Sequence, residues 1–274
     1  MKILGCPDKP VASVTEDLFN ISTYVNGLCS FVRTCDTPMT ISIQGDWGSG
    51  KTSMMNMMRE NLHGSVWPIW FNTWQFSQFE MGNSLVFSMM DVILKELGCN
   101  ADVRKKIIDG LFGFGKLAVK TISDRTLGSD ITGVIANTLD QGKSEPDLSA
   151  EVMNLKKKFI DAVNDKLKKE HRDRVVIFID DLDRLRPGKA VELLEVLKLF
   201  LDCDRCVFIL AVDYEVVTLG IKEKFGDSVS SEKGKSFFDK IIQLPFKMPV
   251  AQYDVGKYIC DMMSRMNIEQ TDAN

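Results

Sequence analysis

Gly45-Asp46-Trp47-Gly48-Ser49-Gly50-Lys51-Thr52-Ser53 is the stretch whose reading decides the fold. The apolar run Met39-Thr40-Ile41-Ser42-Ile43 precedes it, and the helix-like Met54-Met55-Asn56-Met57-Met58-Arg59 follows. Strand, Gly-x4-Gly-Lys-Thr, then helix is the context in which a loop binds phosphate. The glycines let successive N–H groups point inward at phosphate oxygens, and the helix adds its positive N-terminal end. Gly45, Asp46, Trp47, Gly48, Ser49, Gly50, Lys51, Thr52 and Ser53 are therefore the candidate nucleotide-binding residues. In such a loop Lys51 reaches the β- and γ-phosphates, and the Thr52 hydroxyl ligates Mg2+.

Farther along, Val175-Val176-Ile177-Phe178-Ile179 is short, continuously apolar and β-branched, as a fully buried parallel strand should be. It ends in Asp180-Asp181-Leu182-Asp183-Arg184. Acidic residues at the carboxyl end of such a strand lie at the crevice where open α/β sheets bind ligands. Asp180 is the expected Mg2+ partner beside Thr52, and Asp181 falls where a carboxylate orients and deprotonates the attacking water. Asp181 is one methylene shorter than a glutamate, so whether it reaches that water unaided stays open. Helix capping is the alternative for this acidic group, and it suits Asp183 best.

Asp213 follows a second buried strand, Val207-Phe208-Ile209-Leu210-Ala211-Val212, and so lands at the same sheet edge. It either senses the γ-phosphate, as a third catalytic candidate, or caps the helix beginning at Tyr214. Arg184 and Arg186 are candidates for phosphate charge in a neighbouring subunit, with pairing to Asp183 or Glu192 a sufficient explanation. Lys240 is a further cation that could read the γ-phosphate.

Around these points strands and helices alternate. Periodicity predicts a helix after Thr15 through Leu18, Tyr24, Leu28 and Phe31, then helices over Gly82–Leu97, Ser149–Lys169 with Ser149 as a cap, and Ala190–Leu201. Tyr214–Phe225, Gly234–Ile242 and Tyr253–Met266 also read as helical, and Gln243–Met248 as a last strand. Val66–Phe71 is an aromatic-rich second strand. Residues 98–147, punctuated by Gly and Asp, read as an insertion outside the sheet. The alternation predicts an α/β doubly wound sheet.

The chain has 274 residues, 45% hydrophobic and 26% charged, with a formal net charge of −4. Such a balance offers no global case for nucleic acid. The lysines from Lys156 to Lys169 are interleaved with Asp161 and Asp165, as on a solvated helix face. Seven cysteines, an odd number with no secretory signal ahead of them, point to a reducing cytoplasm. Cys203 and Cys206 have no second pair and only His63 and His171 elsewhere, so buried thiols are expected rather than zinc. No apolar run is long enough to span a membrane, and Asp109 and Lys116 interrupt the nearest, Ile107 to Val119. A peripheral membrane contact stays open.

The phosphate loop, Trp70-Phe71-Asn72-Thr73-Trp74-Gln75-Phe76 and Phe178-Ile179-Asp180-Asp181-Leu182-Asp183-Arg184 together resemble the KAP family of P-loop NTPases. Ile209-Leu210-Ala211-Val212-Asp213 and Phe238-Asp239-Lys240-Ile241-Ile242-Gln243-Leu244-Pro245 are similar to that family's next strand and closing helix–strand. The resemblance implies a three-layer α/β/α fold with a mainly parallel five-stranded sheet, order 5-1-4-3-2, in one domain over 1–274. It places the helical insertion at about 98–147 and the start of a C-terminal helical region at about 252. Many members carry membrane helices between the two motifs, and this insertion has none by sequence. ATP and Mg2+ are the implied cofactors, with Asp180 on the metal and Asp181 as base. The adenine is expected near Leu18, Phe19 and Ile21. The function implied is Mg2+-dependent ATP hydrolysis coupled to conformational change, self-association or a protein partner, in phage defense. A non-hydrolysing nucleotide switch or scaffold and a small-molecule kinase are the alternatives.

Overall fold

The computed structural model describes residues 9–77, 84–110, 148–198, 200–225 and 237–265. Five strands, β1 (Met39–Gln44), β2 (Trp67–Asn72), β3 (Val175–Asp180), β4 (Cys206–Val212) and β5 (Leu244–Lys247), form one sheet in the order β2-β3-β4-β1-β5. All pairings are parallel. This is the expected order read from the opposite edge, with β4 between the phosphate-loop strand and the Asp180 strand. Every residue of β3 and β4 is buried, which matches their central place and continuous apolar sequence. The edge strands β2 and β5 each carry a proline, Pro68 and Pro245. A residue without an N–H weakens a central ladder but is tolerated at an edge, where it also discourages further pairing.

Period-two alternation divides the core between the two sheet faces. Val175, Ile177 and Ile179 of β3 join Phe208 and Leu210 of β4 in one cluster. That cluster is closed by α4 (Ser84–Glu96), α5 (Leu148–Glu170), α6 (Pro187–Lys198) and α7 (Tyr214–Phe225). Val176 and Phe178 point the other way, with Ile41, Ile43, Val207 and Ile209, toward α1 (Ser22–Thr34) and α2 (Lys51–Leu62). Met54, Met55, Met57 and Met58 of α2 are all buried in this second cluster, as flexible filler against the sheet. On α5, Leu155, Phe159, Val163 and Leu167 recur at helical spacing and are buried together.

Several element boundaries differ from the sequence expectation, each for a local reason. The N-terminal helix does not run on from Thr15; only Val14–Glu16 makes a 3-10 turn, and α1 starts at Ser22. The Asp17 carboxylate takes the backbone N–H groups of Phe19 and Ser22, and Asn20 adopts φ 59°. A short acidic side chain there competes with helical hydrogen bonding. Ser149 lies inside α5, which already begins at Leu148. Helix α6 starts at Pro187, earlier than Ala190, because proline suits a first helical turn whose N–H groups lack acceptors. A short helix α3 (Thr73–Ser77) follows β2 directly, and α8 (Val255–Arg265) closes the described chain. Residues 101–110 are helical, whereas 111–147, most of the expected insertion, lie outside the described residues. Among the described residues, no helix is long and apolar enough to cross a membrane.

Candidate active site

Because every strand is parallel, the carboxyl ends of β1, β2, β3 and β4 converge on one edge. The register pairs Gln44 with Val212, and Asn72 with Asp180. Residues 45–53, 72–74, 180–184 and 213 are thereby gathered at that edge from four strand ends.

The phosphate loop turns through Gly48 at φ 80° and Gly50 at φ 85°, left-handed conformations that strain any residue with a Cβ. Gly50 then occupies the N-cap position of α2 without a side-chain cap. The N–H groups of the first helical turn have no acceptor within the helix and face the loop as anion donors. Lys51 folds back over the loop, its Nζ donating to the carbonyls of Gly45 at 2.7 Å and Asp46 at 3.0 Å. The same ammonium pairs with Asp183 Oδ2 at 2.7 Å, with both side chains largely buried. Asp183 is therefore an ion-pair partner of the loop lysine rather than a helix cap.

Thr52 Oγ1 donates to Asp180 Oδ1 at 3.2 Å, which joins the loop to the acidic cluster. The same Oδ1 accepts the Asp181 N–H at 2.9 Å. Asp180 Oδ2 is buried and has no hydrogen-bond partner. With only 1% of the residue exposed, burial pushes the Asp180 carboxyl up to about 6, and the neighbouring Asp181 charge adds to the shift. A buried carboxylate oxygen left unpartnered beside a threonine hydroxyl is a hard oxygen pair suited to Mg2+. That ion takes one or two protein oxygens and completes its shell with phosphate and water. Among the described residues there is no cluster of three or more His, Cys, Asp and Glu able to hold a metal without such added oxygens.

Asp181 sits at φ 60°, so its side chain leaves the strand in a different direction from that of Asp180. Asn72 Nδ2 donates to Asp181 Oδ2 at 2.7 Å, and Arg184 Nε to Oδ1 at 2.6 Å. Arg184 thus pairs with Asp181 and not with Asp183 or Glu192, the latter being taken by Lys189. The role of Asn72 was not legible as such, although its place at a strand's carboxyl end is the signal it shares with Asp180. Asp213 reaches the same edge, and its Oδ1 accepts the Glu215 N–H at 2.8 Å, the capping role anticipated as one of its two readings.

The N-terminal segment also comes to the loop. Val11 N donates to Ser53 Oγ, and Tyr253 Oη donates to the Ser49 carbonyl at 2.6 Å. Phe19 stacks on Tyr253 and Tyr258, each at 4.9 Å, whereas Ile21 is buried in the core. Lys240 enters from another part of the chain. It lies in the turn ahead of β5, three residues before Gln243, whose N–H donates to the Thr40 carbonyl. Cys203 and Cys206 are buried thiols, and burial pushes Cys203 up to about 12.

Residues 21–274 match the KAP family P-loop domain. The chain is 25% identical over 285 aligned positions to the phage T7 exclusion protein of Escherichia coli (strain K12). That alignment covers 88% of this chain and 34% of the relative, so the chain spans about a third of that protein's length. It is also similar to the Aeropyrum pernix ORC1 protein, solved in complex with DNA, at 12% identity and a TM-score of 0.43, over 91% of this chain and 49% of that one. With the match running from α1 through the phosphate loop, the acidic cluster and β5, the chain belongs to the KAP family of P-loop domains.

Proposed function

We propose that the protein binds ATP with Mg2+ at this sheet edge and hydrolyses it, passing the nucleotide state to a protein partner or a second copy of itself during phage exclusion. The observation that carries the reading is the contact between Thr52 and Asp180 Oδ1, beside an Asp180 oxygen that is buried and unpartnered. The likeness to the T7 exclusion protein supports the biological setting.

Lys51 and the first-turn N–H groups of α2 bind the phosphate chain. Thr52 and Asp180 would hold Mg2+, which when bound neutralises charge on the β- and γ-phosphates. Asp181 orients the attacking water and accepts its proton. The water oxygen bonds to the γ-phosphorus as the bond to the β–γ bridging oxygen breaks, and ADP leaves with that electron pair. Asp213, through its cap on α7, links the same edge to a helix that can respond. The cytoplasm suits a chain whose buried cysteines remain thiols.

Lys51→Ala should abolish ATP binding in a titration calorimeter. Asp181→Ala should still bind ATP and lose about 100-fold or more in single-turnover hydrolysis. Unchanged turnover in both variants sinks the assignment. Tight binding by the natural chain with no turnover in either chain favours the non-hydrolysing switch instead.

A further inference from the structure

The mechanism above gives Arg184 no part, yet the site is built around it. Its Nε donates to Asp181 Oδ1 at 2.6 Å, and its guanidinium carbon lies 5.3 Å from the ring centre of Trp47 and 5.9 Å from that of Trp74. Trp47 belongs to the phosphate loop, and Trp74 follows the strand end that carries Asn72. A cation within about 6 Å of an aromatic face is attracted to it, and a planar guanidinium held there loses little further freedom on pairing. Exposed ion pairs are weak because two long side chains must be frozen. Here one partner is short and only 12% exposed, and the other is confined by two rings. Trp47 is 79% exposed, so burial does not account for a large ring at that loop position. Its contact with Arg184 does.

We infer that Arg184 is a positioning residue for Asp181, and that Trp47 holds Arg184 so that the phosphate loop sets the orientation of the carboxylate. The inference rests on Asp181 acting on the attacking water. A carboxylate has about four acceptor positions, and Arg184 and Asn72 take one on each oxygen. Two fixed bonds define the carboxylate plane and leave one acceptor direction per oxygen for water. In a loose phosphoryl-transfer transition state, placement of the water counts for more than the basicity of its acceptor. An arginine-tied aspartate therefore suits the task. A loop that shifts around phosphate carries Trp47 with it, and through Arg184 that shift turns the Asp181 carboxylate.

The test is single-turnover ATP hydrolysis with protein in excess, alongside ATP affinity and thermal melting for each variant. Arg184→Ala should slow the chemical step about 10-fold or more while ATP affinity stays within about 3-fold, by analogy with lost acid–base positioning. Arg184→Lys should restore part of the rate, since an ammonium lacks the planar fork. Trp47→Ala should slow the step and Trp47→Phe should retain most of it. Arg184→Ala placed in an Asp181→Asn background should add less than about 2-fold, because residues acting as one unit are not additive. A full Arg184→Ala loss in that background means direct contact with phosphate or a general structural role, and overturns the inference. So does a wild-type rate in Arg184→Ala. If Arg184→Ala fails to fold, the Trp47 pair and Arg184→Lys decide by the same criteria. Full turnover in Asp181→Asn alone instead removes the reading of Asp181 on which the inference depends.

Discussion

Replacing Asp180 by asparagine should make the protein more stable in the absence of nucleotide and at the same time remove its response to Mg2+ and ATP. Only 1% of the residue is exposed, and its carboxyl is raised from an ordinary 3.8 to about 6, first by burial and then by the Asp181 charge. At pH 8 the ionised form is disfavoured in the folded chain by about 3 kcal/mol relative to the unfolded one. Because the folded value is the higher one, this group's stabilising contribution is fully present below pH 3.8 and is lost as pH rises through about 6. Asparagine carries no charge and escapes that loss. Its amide, however, places a donor where the unpartnered Oδ2 stood, and a buried donor without an acceptor costs about 1–3 kcal/mol. The net gain at pH 8 is about 0–2 kcal/mol, a rise in Tm of up to about 8 °C for a chain of this size. At pH 5 wild-type ionisation is far less complete in the fold and its penalty falls to about 1.5 kcal/mol, so the gain should vanish. Wild type with nucleotide and Mg2+ at about 100 times Kd should gain about 2.7 kcal/mol, and the Asp180→Asn chain should lose the Mg2+-dependent part. Thermal denaturation at pH 8 and pH 5, with and without Mg2+ and ATP, reads both effects. A variant that melts several degrees below wild type at pH 8, or that keeps the Mg2+-dependent rise, refutes the reasoning.

Other predictions follow from the same contacts. Asp183→Asn should release Lys51 from a competing carboxylate, tightening ATP binding about 3- to 10-fold in calorimetry while lowering stability without nucleotide by about 1–3 kcal/mol; weaker binding would count against it. Gly220→Ala should destabilise by about 2–4 kcal/mol in urea titration, because a methyl there runs into the Pro187 carbonyl where α7 crosses α6; a loss below about 0.5 kcal/mol would show that the helices separate freely. Burial raises Cys29 to about 11 and Cys203 to about 12, so neither is a thiolate at pH 8. Iodoacetamide on the native chain should mark the exposed Cys260 and spare Cys29, Cys203 and Cys206, as read by peptide mass spectrometry.

Much of the fold was legible because its signals are local. A glycine loop between a strand and a helix, and two continuously apolar runs each ending in aspartate, are one-dimensional patterns that encode burial and direction. Helix starts were less legible where a side chain redirects the backbone, as Asp17 does ahead of α1.

The sequence by itself determined the phosphate loop, the Asp180 strand and the α/β class, since each rests on periodicity and on residues whose backbone preferences act within a few positions. Only the tertiary structure decided how the acidic cluster is partnered. Lys51 meets Asp183, and Asp181 meets both Asn72 and Arg184. These meetings follow from parallel strands ending at one edge, across a separation in sequence of 109 for Asn72 and Asp181 and a longer one for Lys51 and Asp183. No local propensity specifies such contacts; the register of the sheet does.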